Sequence, residues 1–263
     1  MKSLSFDNMA ELYDETRIFD INCLNSALEY IVDRFPPERF RDVFYPGIGT
    51  GRIAIPLAER GYRITGVDIS ENMLSSLKKQ LEQSKRHLNI SFRKADVTRL
   101  PYKANSFDAI ITVHLFYFIR DWEKAVDEIV RVVRNEGPFI LMHTGTGMEI
   151  PFLNTRYKEL CSEQGFKIPD FGVKSNKEVI DYLENLGYNA QWIRDRWKWT
   201  SHIRLDKALD YVRSRAYSFT TCTPDDIHSK VVNGLESELE RDFGSLTYKV
   251  EIPNQIYLVI VSR

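Results

Sequence analysis

Three glycines at alternate positions, Gly47, Gly49 and Gly51, with a carboxylate at Asp68 downstream, form the group in this chain best suited to chemistry. Glycine reaches positive φ, and a loop without Cβ atoms brings its amides close to a ligand. A helix opening directly after such a loop adds unpaired N–H groups and the positive end of its dipole. An acid about 20 residues beyond the glycines, at the tip of the next strand, suits a pair of ribose hydroxyls. The combination predicts a nucleoside-containing ligand. Further along stand Asp96, His114 and His143, each directly after an apolar, β-prone run. A histidine so placed serves as a base or acceptor-orienting group, or as a hydrogen-bonded structural residue.

The elements that must position these groups follow from periodicity. Residues 9–33 have helical spacing and end at Pro36-Pro37. Strands are predicted at 43–45, 64–67, 90–95, 109–113 and 139–142, with helices over about 53–60, 71–83 and 122–133 between them. Ser70 is a good N-cap for the second of these helices. Such alternation predicts an α/β fold with a doubly wound, mainly parallel sheet, whose ligands bind outside the carboxyl ends of the strands. The Gly47 loop, Asp68, Asp96, His114 and His143 should therefore gather on one edge. Beyond His143, Gly145 to Gly147 open a polar loop, and helices are predicted at 154–164, 175–186, 205–216 and 224–241. A sixth strand is read at 188–193, a short strand at 246–252 and a strong final strand at 255–261.

Composition narrows the function classes. The 263 residues are 43% hydrophobic and 28% charged, enough for one substantial core. A net charge of −1, from 36 basic and 37 acidic residues, gives no general attraction to nucleic acid or anionic membrane. The basic stretch Lys78, Lys79, Lys85, Arg86 and His87 is interrupted by Glu82 and reads as a solvated helix face. Three scattered cysteines without a C-x-x-C pair argue for a reducing compartment and no metal site. The N-terminus has no apolar leader, and no stretch is long enough to cross a bilayer, so a cytoplasmic enzyme is expected.

The glycine spacing selects among nucleoside ligands. A dinucleotide fingerprint would place its last glycine at Arg52, and an ATP-type loop would need a following Lys-Ser/Thr pair, which is missing. Gly-x-Gly-x-Gly instead resembles motif I of the class I S-adenosylmethionine (SAM) methyltransferases. Ala95-Asp96, Leu100-Pro101-Tyr102 and Ser106-Phe107-Asp108 before an apolar strand resemble motifs II and III. Over residues 9–143 the chain is similar to the ubiquinone/menaquinone-type small-molecule methyltransferases. The resemblance implies a seven-stranded Rossmann-like sheet with helical cap insertions, SAM as cofactor and S-adenosylhomocysteine (SAH) as product. It implies that Gly47, Ile48, Gly49, Thr50, Gly51 and Arg52 cradle the cofactor, that Asp68 holds its ribose, and that Ile69 and Met73 flank the adenine. Asp96, with Val97 beside it, would accept the adenine amino proton. Val113 and His114 would close that side, and the Tyr13-Asp14-x-x-Arg17 segment would fold over the top.

One domain over 1–263 is expected, with an N-terminal helical lid at 1–38 and cap-like insertions at 145–174 and 200–243. The cap segments hold many aromatics, among them Tyr157, Trp197, Trp199, Tyr217 and Phe219, enough to line an apolar pocket for a small organic acceptor. The signatures of exocyclic-amine and cytosine-C5 methylation are missing. Methyl transfer to the O, N or C atom of a small molecule is thus favoured over RNA or protein methylation. Tyr45 stands where the family commonly carries an acid, two residues before the first glycine, which motivates a second alternative, a SAM-binding regulator without turnover.

Overall fold

The computed structural model describes residues 6–10, 12–84, 86–144 and 149–263. The loop from Gly145 to Gly147, Lys85 of the basic stretch and residues 1–5 of the lid lie outside them. After a 3₁₀ turn at Asp7–Met9 come α1 (Tyr13–Thr16), α2 (Ile21–Arg34), β1 (Asp42–Pro46), α3 (Ala54–Glu59) and β2 (Arg63–Asp68). Then follow α4 (Glu71–Ser84), β3 (Ile90–Lys94), β4 (Ala109–Val113), α5 (Trp122–Val132) and β5 (Phe139–His143). The remainder is α6 (Pro151–Glu163), α7 (Asn176–Asn185), β6 (Asn189–Arg204), α8 (Leu205–Arg213), α9 (Asp225–Phe243) and β7 (Lys249–Ser262).

The seven strands form one sheet in the order β3-β2-β1-β4-β5-β7-β6. β1 to β5 are parallel, and β7 runs antiparallel to β5 and β6. β1, β4 and β5 read as near-continuous apolar runs because helices cover both faces. Alternate residues enter opposite cores: Ile111 and Ile140 pack with Leu28 and Leu57 on one face, whereas Ile110 and Phe139 pack with Ile129 and Leu183 on the other. The chain reverses its strand order between β1 and β4, so the crevice opens at the carboxyl ends of these strands.

The structure departs from the periodicity in three places. The helical region 9–33 is broken, because Asp20 starts a new helix: its Oδ1 accepts a hydrogen bond from Cys23 N at 2.8 Å. The sixth strand does not end near 193 but runs to Arg204, past an irregularity between Ile193 and Trp197 where Asp195 takes φ 64°. That bulge absorbs the charged run Arg194-Asp195-Arg196, which interrupts the apolar pattern. The short strand read at 246–252 is not separate either, since β7 is continuous from Lys249. Pairing with β5 ends at Tyr257, so Pro253 sits where β7 has β6 alone as a neighbour.

The outer halves of β6 and β7 thus form a ribbon that carries the cap. Residues 200–204 belong to this ribbon rather than to a helical insertion. α6, α8 and α9 pack on it around a core of their own that includes Tyr157, Leu209, Tyr217, Phe219, Leu235 and Ile252. Most cap aromatics are therefore core residues, and Trp197 and Trp199 pack against the main core instead.

Candidate active site

At the carboxyl end of β1 the glycine loop is tied to β2: Gly47 N and Ile48 N both donate to Val67 O, at 2.8 and 3.0 Å. The Asp68 carboxylate is held from below, with Gly49 N donating to Oδ2 and Ser70 N to Oδ1, each at 2.9 Å. Burial pushes this carboxyl above the usual range, and the amides of Ser70, Gly49 and Ile69 pull it back. Asp68 lines the cleft, where a carboxylate can also accept from a ligand hydroxyl. Gly49 has φ +57°, and no atom stands within 4 Å of where its Cβ would be. That empty cradle fits a ligand lying directly on the backbone.

Other members of the loop do different work. Gly51 (φ +88°) is not among the cleft walls; a Cβ there would stand 2.4 Å from Leu77 Cδ1, so it lets α4 close on the loop. Ile48 packs its side chain onto Gly66. Thr50 donates its hydroxyl to Asp14 Oδ1 at 2.8 Å, and Gln80 Nε2 donates to Asp14 Oδ2 at 2.9 Å. Asp14 therefore orders the loop and does not line the cleft.

Beyond Asp68 the cleft is flat and apolar. Ile69 is 40% exposed, while Met73 and Val97 are buried beneath. Asp96 closes this end, its Oδ1 accepting from Thr98 N and Thr98 Oγ1 at 2.9 and 2.8 Å. Val113 and His114 form the opposite wall, where His114 takes φ 53°.

The N-terminal segment roofs the cleft at several attachments. Asp7 Oδ1 accepts from Ser70 Oγ at 2.6 Å. The Tyr13 ring meets Phe6 edge-on at 5.9 Å, and Phe6 meets Phe118 at 4.7 Å. Arg17 lies over Tyr13 at 4.7 Å and donates to Ala216 O at 2.8 Å, joining the lid to the cap. Arg52 lies over Phe19 at 4.0 Å, 3.6 Å from Asp14, and donates to Arg17 O.

The cleft continues into a chamber of about 360 Å³. His114 and His143 form its floor, their rings edge-on at 4.4 Å, and His143 stacks on Tyr257. Burial lowers both: His143 falls to about 4, and His114 is lowered well below its ordinary value, with the neighbouring His143 adding to the effect. Both are neutral at pH 7 and poor proton acceptors. His114 Nε2 lies 3.0 Å from both the carbonyl oxygen and the hydroxyl of Thr144, while His143 Nδ1 is buried with no partner among the described residues. Tyr45 is buried against the chamber, and burial raises its hydroxyl pKa so that it stays protonated.

The structure thus brings Tyr13, Arg17, Gly47, Gly49, Asp68, Asp96, His114 and His143 to one continuous cleft. Phe6, Tyr117, Phe118, Ser218 and Glu149 also line it, without a sequence signal of their own. Phe118 lies in the 3₁₀ turn after His114, which could have marked it. Glu149 and Ser218 come from cap segments that carry no motif.

A sheet of this order with an acid-tipped β2 and an open glycine cradle is the arrangement expected of a class I SAM-dependent methyltransferase, and residues 44–141 match the family model described as Methyltransferase domain. It is similar to a demethylmenaquinone methyltransferase from Bacteroides fragilis, 28% identical over 193 residues that span 67% of this chain and 72% of that protein. In fold it is similar to the YcgJ protein from Bacillus subtilis (TM-score 0.61, 19% identity, 91% and 99% of the two chains). It also matches phosphoethanolamine N-methyltransferase 2 from Haemonchus contortus in complex with SAM (TM-score 0.53, 17% identity, 97% and 56%). No helix among the described residues is long and apolar enough to cross a membrane.

Proposed function

We propose that the chain transfers the SAM methyl group to a small, ring-containing acceptor enclosed in the chamber beside His114 and His143. The observation that carries this reading is the continuity of the cleft with a chamber roofed by both lid and cap, which meet at the Arg17–Ala216 bond. In this reading Asp68 holds the ribose, Ile69, Met73 and Asp96 hold the adenine, and the Gly47–Gly49 backbone passes beneath the methionine portion. Arg17 and Arg52 lie at the carboxylate end. Bound there, SAM supplies an electrophilic methyl group. The protein's part is to align the nucleophile and exclude water, and alignment alone can supply roughly 7–11 kcal/mol. The aromatic walls Tyr13, Tyr117 and Phe118 favour a planar acceptor, in keeping with the quinone in the name of the similar demethylmenaquinone methyltransferase. The histidines, neutral by burial, orient the acceptor by hydrogen bonds.

Methyl-labelled SAM offered with small phenols, quinols and amines, in parallel with bulk RNA and a protein extract, tests the reading. Label should pass to a small organic product with matching SAH. Label found only in RNA or protein would overturn it.

A further inference from the structure

The chamber holds one carboxylate that no motif announces. Glu149 lines it from the residue before the N-cap of α6, and its Oε1 accepts a hydrogen bond from Asn154 Nδ2 at 2.7 Å. Among the described residues no hydrogen bond falls on Oε2. Asn154 Oδ1 is likewise buried without a partner among the described residues. Asn154 lines the adjoining cavity, which shares Tyr117, Phe118 and Ser218 with the chamber. An acceptor without a donor among the described residues, Asn154 Oδ1, thus accompanies the Glu149 carboxylate at the cap end of the methyl-transfer space. A buried acceptor such as Asn154 Oδ1 is costly unless a ligand supplies the missing donor.

We propose that Glu149 is the proton acceptor of this chamber, and that the methyl acceptor presents an O–H or N–H group to its Oε2. The assignment rests on the function proposed above and names a chemical requirement on the acceptor. As the oxygen or nitrogen of the acceptor forms its bond to the methyl carbon, the carbon–sulfur bond breaks and its electron pair stays on sulfur. The proton of the acceptor's O–H or N–H passes to Glu149 and later to water. SAH, the methylated product and one proton result.

The alternatives in the chamber are weaker. His143 is held near about 4 by burial, and His114 is also lowered and has Nε2 occupied at Thr144. Tyr45 and Tyr217 are raised by burial and stay protonated. For Glu149 the same effect acts on a carboxyl: burial lifts it above the ordinary range, toward working pH. Asn154, Arg17 from the lid and Lys158 from α6 oppose the rise and favour the ionised form. Tyr217, before the 3₁₀ turn of the cap, faces the same carboxylate.

Glu149→Gln keeps the shape and can still accept from Asn154, so the fold and SAH affinity by calorimetry should be unchanged. With phenol, catechol, hydroquinone and aniline as probes, SAH formation by the variant should fall on the order of 100-fold or more in kcat with KM nearly constant. The acidic limb of the wild-type kcat profile should vanish, and Glu149→Asp should recover part of the rate. A Glu149→Gln protein that keeps the wild-type kcat and pH profile overturns the assignment while leaving the proposed function standing. Wild-type protein that methylates none of the four probes overturns the proposed function, and the assignment with it.

Discussion

Replacing Asp68 by alanine tests the site at the group with the most defined geometry. The carboxylate already binds the amides of Gly49 and Ser70, and Asp68 lines the cleft. Hydrogen bonds to a charged acceptor contribute about 1.5–3 kcal/mol each, so losing two ribose hydroxyls costs about 3–6 kcal/mol, a loss of roughly 150-fold to more than 10,000-fold in affinity. Asp14→Ala serves as the comparison. Its oxygens serve Thr50 and Gln80, it orders the loop without lining the cleft, and it should cost about 1 kcal/mol. Calorimetry with SAH measures both. Equal losses at the two positions would refute the placement of the ribose, whatever their size.

Three further outcomes follow from particular contacts. Gly49→Ala should leave stability within about 1–2 kcal/mol, the cost of its positive φ, yet abolish measurable SAH binding by filling the cradle. Gly51→Ala should instead destabilise by about 2–4 kcal/mol, combining positive φ with a clash at Leu77, and denaturant unfolding separates the two variants. His143 is depressed to about 4 in the fold, so its contribution is fully present above its ordinary value of 6.5 and is lost as pH falls toward 4. The loss is at most about 3 kcal/mol, and unfolding of His143→Asn against pH should lack that slope.

Much of the sheet was legible because parallel strands covered on both faces leave unbroken apolar runs, as at 109–113 and 139–142. The gathering of Gly49, Asp68 and Asp96 at the cleft was legible because backbone approach and strand-tip acids demand particular residue types. Gly51 was read as part of the cradle, and its backbone also lies against Leu77, a contact that spacing does not reveal. The β6–β7 ribbon was missed because Arg194-Asp195-Arg196 interrupts the apolar alternation at the bulge. Glu149 was invisible for another reason. A lone acid before a helix has no pattern, and its meaning comes from the chamber that long-range packing builds around it.

The central claim is that lid and cap close one continuous cleft and so restrict the acceptor to a small molecule. Hydrogen exchange with and without SAH tests it most directly. Residues 12–20 and the cap segment 214–223 should gain protection together with the Gly47 loop, because Arg17 bonds to Ala216 above the site. Protection confined to the Gly47 loop and the strand ends would contradict the claim: the cap would then be a passive insertion and the site open to large acceptors.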